Sequence, residues 1–153
     1  MSFEDFLRRN RLRPHEPTVT EIRDLIDSAL RDLRHVAATT DSDDWRFIAA
    51  YSAALSLATI PLAASGYRAS GPGSHVTTIN ALPAALGTDV RELSVYLSEC
   101  RALRNRALYD QPHLVTSSKV SELIEAVDEL QERVLAWLAE EHPELQPEGR
   151  EQG

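Results

Sequence analysis

Three arginines, Arg101, Arg104 and Arg106, crowd the last turns of the segment "ELSVYLSECRALRNRALYD", together with Asn105, Tyr109 and Asp110. Guanidinium groups grip phosphate oxygens through paired hydrogen bonds and stabilise charge that develops on them. A nearby histidine or tyrosine could move a proton. Leu93, Leu97, Cys100, Arg104 and Ala107 or Leu108 follow one another at steps of three or four, so a helix here carries Arg104 on its apolar face. An unpaired guanidinium on such a face costs several kcal/mol, of the order of a lone buried ion. Arg104 must therefore pair with a carboxylate, sit at a subunit interface, or line a cleft. Arg101, Asn105 and Tyr109 form an adjacent polar row. The negative end of a helix would account for Arg101 and Arg106, but not for Arg104.

Other residues offer less. His75, in "GSHVTT", could line the same cleft or be a loop histidine satisfied by backbone or water. His15, His35 and His142 lack the spacing of a metal site, so no metal and no cofactor are expected. Cys100 has no partner for a disulfide and reads as a small core residue. "GPGS" lacks the lysine and preceding strand of a phosphate loop. "RRNRLR" sets Arg8, Arg9, Arg11 and Arg13 in a basic patch, either a contact for nucleic acid or an acidic partner, or a solvated amphipathic end.

The elements that must position these groups read as helices. "TVTEIRDLIDSALRDLRHVA" opens with Thr18 and Glu21 at capping-box spacing and lines Ile22, Leu25, Ile26, Ala29, Leu33 and Val36 on one face. A helix follows from about Asp43 to Ser65, uncharged from Phe47 onward, where Pro61 removes a backbone bond and should kink the chain. Its stretch Phe47–Tyr67 has the length of a membrane span. Its wealth of Ala and Ser favours the centre of a bundle instead, and no membrane association is expected. "HVTTINALPAAL" predicts a short helix interrupted at Pro83, and the arginine-bearing helix follows, capped by Thr88 or Asp89. The last helix carries Val120, Leu123, Ile124, Val127, Leu130, Val134 and Leu138 as its stripe. Strand alternation is absent. The predicted fold is all-α: an up-and-down bundle of four main helices with short extra ones. Residues 1–17 are read as a basic arm or short helix, 18–141 as the bundle and 142–153 as a disordered tail. With 153 residues the chain suits one domain. Its net charge of -8 confines any nucleic-acid contact to a local basic patch. No secretory signal is read at the N-terminus, and a cytoplasmic location is expected.

The segments "AAYSAALSLATIPLAASGYRASGPGSHVTTINALPAALG" and "CRALRNRALYD" together resemble the HEPN superfamily over roughly residues 18–138. In that family an Ala-rich helix ends in a "GYR"-like turn, a "GxH"-like loop follows, and a later helix ends in an Arg-Asn motif. The resemblance implies a helical bundle that forms a homodimer, often within toxin–antitoxin or phage-defence systems. It implies RNA as ligand, and as partner a cognate antitoxin or a nucleotidyltransferase-like protein. Active members are metal-independent ribonucleases in which an Arg, often followed by a polar residue, is separated from a His by four to six intervening residues. Arg104 and Asn105 match the start of that motif, but Tyr109 stands where the His is expected. A phenol is a weak base at neutral pH. Arg106 and His113 offer a looser match across Pro112. The resemblance thus assigns Arg104, Asn105, Tyr109 and His113 to the motif, and Arg68, His75, Arg101 and Arg106 to RNA contact. The expected function is RNA or partner binding with a degenerate ribonuclease motif. The alternatives are an active endoribonuclease and a purely structural oligomerisation module.

Overall fold

The computed structural model describes residues 1–39 and 41–147. The fold is an all-α bundle built on four main helices: α2 (Val19–Ala38), α3 (Asp43–Ala64), α6 (Arg91–Tyr109) and α7 (Ser117–Glu141). Helix α3 lies at its centre, packed by α2, α6 and α7. Its buried residues include Phe47, Ala50, Tyr51, Ala53, Ala54, Leu57, Ala58 and Ile60, which cover about half of its circumference, while Trp45 and Ser52 on the other side are exposed. By length and composition α3 could cross a bilayer, and 67% of its apolar window is covered by the bundle. The α7 stripe Val120, Leu123, Val127, Leu130, Val134 and Leu138 is buried as the periodicity requires, with Ile124 at its edge.

Polar residues set the helix starts. Ser42 accepts the Trp45 N–H (3.2 Å) at the start of α3 and Thr116 the Lys119 N–H (3.2 Å) at the start of α7. At α2 only half of the expected capping box forms. Thr18 accepts the Glu21 N–H at 3.1 Å, while the Glu21 carboxylate turns to His15 Nε2 at 2.8 and 2.9 Å. Helix α3 continues through Pro61 to Ala64. The segment expected as one interrupted helix is two, α4 (Ser74–Asn80) and α5 (Leu82–Leu86), joined at Ala81 ahead of Pro83. Neither Thr88 nor Asp89 caps α6: both lie in a 3-10 turn, Thr88–Val90, and Asp89 pairs instead with Arg133.

On the flanks, residues 1–17, read as a basic arm or short helix, hold a short helix docked on the bundle, and part of the predicted tail is ordered. Helix α1 (Phe3–Arg8) leads into β1 (Leu12–Pro14), which pairs antiparallel with β2 (Tyr67–Ala69). Phe6, Leu12, Leu62 and Ala81 close a second small core there, and Phe3 stacks on Tyr67 with ring centroids 4.8 Å apart. Three-residue strands are too short to show a period of two, which is why alternation was absent. In the predicted tail, Pro143–Leu145 form a 3-10 turn that buries Leu145 in the main core, because one apolar residue suffices to dock a short turn. The remainder of that tail, 148–153, lies outside the described residues.

Candidate functional site

Helix α6 buries Leu93, Ser94, Leu97 and Cys100. Four positions beyond Cys100 the same face delivers Arg104 to α3, where its guanidinium carbon lies 5.8 Å from the centroid of the Tyr51 ring. The small residues around Tyr51 on α3, Ala50, Ala53 and Ala54, leave space for so large a head group. Arg104 Nη1 donates to Asn105 Oδ1 at 2.9 Å, and its Nε is buried without a partner. Tyr51 is 1% exposed and its hydroxyl also lacks a partner. Helix α4 brings a second ring: His75 lies with its centroid 6.3 Å from that of Tyr51, tilted by 40°. Among the described residues neither Arg101 nor Arg104 forms an ion pair with a carboxylate.

The protonation states follow from this setting. Burial lowers the His75 pKa below its ordinary value, and the positive charges of Arg104 and then Arg101 lower it further. Burial pushes the Tyr51 hydroxyl up to about 12, with Arg101 and Arg104 pulling the other way. Near neutral pH the cluster is thus two cations, a protonated phenol and an imidazole biased to its neutral form. It offers hydrogen-bond donors and positive charge with no anion in place, which suits a phosphate or carboxylate ligand. The neutral imidazole can also accept a proton.

The residues singled out in the sequence divide accordingly. Arg101, Arg104, Asn105 and His75 come together. Tyr109 does not join them: it is 75% exposed. His113 is exposed in the left-handed region (φ 60), and its backbone N–H donates to Asp44 Oδ2 at 2.6 Å. The Val115 N–H donates to the other oxygen of the same carboxylate at 3.0 Å. Asp44 sits about two turns, roughly 10 Å, before Tyr51 along α3. Among the described residues no hydrogen bond or ring contact links Tyr109 or His113 to Arg104. Arg106 is exposed. Arg68 lies in β2, beside a separate cavity of about 230 Å³ that it shares with His15 and Glu21. Tyr51 was missed by sequence reasoning. The available signal was a phenol in the uncharged, Ala-rich part of the helix beyond Arg46, which reads equally well as core.

A second spot lies between α6 and α7. A cavity of about 430 Å³ is lined by Asp89, Glu92, Tyr96, Glu122, Glu125 and Glu129, among others. Burial raises the Tyr96 hydroxyl pKa and lifts the thiol of neighbouring Cys100 to about 11, so Cys100 is an inert core thiol. Among the described residues no group of three or more His, Cys, Asp or Glu side chains is arranged to hold a metal ion. Compared with protein-family models, curated proteins and solved structures, the chain matches none of them.

Proposed function

We propose that this bundle is an HEPN-like RNA-binding protein, acting as a homodimer in a toxin–antitoxin or defence system, and that Arg101, Arg104 and His75 meet the RNA backbone, with the buried Tyr51 ring behind Arg104. One observation supports this reading above the others: Arg104 is partly buried, unpaired by any carboxylate, and has an Nε without a partner beside the equally unpartnered Tyr51 hydroxyl. Such groups are costly to hold unless a ligand satisfies them. A phosphodiester at the accessible part of the Arg104 guanidinium supplies the missing countercharge. The test is binding of a labelled uridine oligonucleotide, followed by fluorescence anisotropy across a salt series. Arg104→Ala should weaken binding at least tenfold and flatten its salt dependence. Equal binding by wild type and variant removes the proposed site.

A second reading, an active metal-independent ribonuclease, draws support from His75 alone, an imidazole biased to its neutral form close to two guanidiniums. In it His75 takes the proton of the 2′-hydroxyl as that oxygen attacks the adjacent phosphorus. Arg104 stabilises charge on the phosphoryl oxygens, and the 5′-oxygen leaves with a proton from solvent. Cleavage of total RNA in EDTA that disappears in His75→Ala and Arg104→Ala selects this reading. Tight binding without cleavage selects the first.

A further inference from the structure

The basic motif at the N-terminus is absorbed by neither core nor cluster. Strands β1 and β2 pair in a register that sets Arg13 directly opposite Arg68. Hydrogen bonds from Ser70 N–H to the Arg11 carbonyl and from His15 N–H to the Gly66 carbonyl extend the ladder at both ends. Alternation along the strand then carries Arg11 and Arg13 to the face opposite Leu12. Leu12 is buried, whereas Arg9, Arg11, Arg13 and Arg68 are all exposed. Like charges directly across a two-stranded ribbon repel each other. Among the described residues none of these four arginines forms an ion pair, and Glu21, the carboxylate beside the ribbon, is engaged by His15. In a chain of net charge -8 this is a concentrated cationic face.

Its position matters as much as its charge. Arg11 Nη1 donates to the Pro72 carbonyl at 3.3 Å, on the turn that opens α4. Three residues further on, His75 reaches the ring of Tyr51. The ribbon and the Arg101–Arg104 cluster therefore flank one short turn, residues 70–75. A ligand long enough to carry several phosphates can engage both, whereas a single anion cannot. The ribbon's apolar side, with Leu12 and Tyr67, faces the small core and offers nothing to a lipid surface.

We propose that the Arg13–Arg68 ribbon is a second phosphate-binding surface, which holds the continuation of an RNA strand whose first contacts are at Arg101 and Arg104. This rests on the RNA-binding reading above, and the test separates the two. Wild type, the exposed double variant Arg13→Ala/Arg68→Ala, and Arg104→Ala are compared on a uridine dinucleotide and on a uridine oligomer of about 15 nucleotides, a length within the usual reach of single-strand sites. The ribbon variant should bind the dinucleotide as wild type does. Its affinity for the oligomer should fall roughly tenfold, and its salt slope should lose about 1.4, the value for two phosphate contacts on a single strand. The charge-preserving Arg13→Lys/Arg68→Lys variant should keep the wild-type slope. Oligomer binding and slope unchanged in the alanine variant would overturn the proposal and leave the first site standing. Loss in the ribbon variant with none in Arg104→Ala would support the ribbon and remove the first site. No binding of either RNA by wild type, with binding of anionic vesicles or an acidic peptide through Arg13 and Arg68, would overturn both.

Discussion

Arg104 sits over the face of Tyr51, 5.8 Å from the ring centroid, with no carboxylate among the described residues to share its charge. The pairing offsets part of the cost of placing a guanidinium against α3, by about 0.5–2 kcal/mol for a partly desolvated cation over an aromatic face. The unpartnered Nε works against it by about 1–3 kcal/mol. These opposed contributions nearly cancel, so the predicted change for Arg104→Met is within about 1 kcal/mol of wild type. Sulfate added to a thermal melt should raise the midpoint of wild type and leave that of Arg104→Met where it was. A midpoint indifferent to sulfate in both proteins would show that no anion is held there.

His75 supplies a pH test. Its folded pKa lies below the ordinary 6.5, so the unfolded chain takes up a proton first as the pH falls. The His75 contribution to stability is therefore present above pH 6.5 and is lost as the pH drops through the folded value. An NMR titration of the imidazole should give a midpoint below 6.5, and Arg104→Ala should move it upward by removing the nearer cation.

At the alkaline end the sign reverses. Tyr51 has a folded pKa of about 12 against an ordinary 10.0, so the folded protein keeps a proton that the unfolded chain releases. This stability is complete below pH 10 and declines as the pH rises through about 12. Of the 4 tyrosines, Tyr51 and Tyr96 should ionise late in an absorbance titration. Tyr51→Phe should remove one of the late transitions and reduce the loss of stability above pH 10.

Asp44 holds the connection between α6 and α7 through the backbone N–H groups of His113 and Val115. Hydrogen bonds to a charged acceptor contribute about 1.5–3 kcal/mol each at best, so Asp44→Ala should destabilise the fold by a few kcal/mol. Amide exchange at His113 and Val115 should be slow in wild type and fast in the variant. Slow exchange in both would mean that the turn holds itself.

The main helices were legible because each buries a continuous stripe, as Val120 through Leu138 do on α7. The predicament of Arg104 was legible for the same reason, since helical spacing placed it among Leu97 and Cys100. Of its companions, Arg101, Asn105 and His75 were legible as possible neighbours and Tyr51 was not. Tyr51 lies on the buried side of α3 among apolar neighbours, where periodicity does not separate a core phenol from a functional one. His75 comes from a different segment, and only the fold of the turn after β2 determines that it meets Tyr51. His113 looked adjacent to the arginines by counting, but α6 ends at Tyr109 and the chain beyond it is drawn towards Asp44. The ribbon was invisible because each strand has only three residues.

The central place of α3 also bears on how the protein is made. Its partners are spread along the chain: α2 precedes it, but α6 begins at Arg91 and α7 at Ser117. During synthesis the α2–α3 hairpin leaves the ribosome with apolar surface of α3 uncovered, and α7 closes over it only after α4, α5 and α6 have been made. Newly made chains would thus pass through a sticky, half-wrapped stage that is open to chaperones and to association with one another. An apolar surface suited to the heart of a finished bundle is, for that interval, the most exposed hydrophobic feature of the nascent protein.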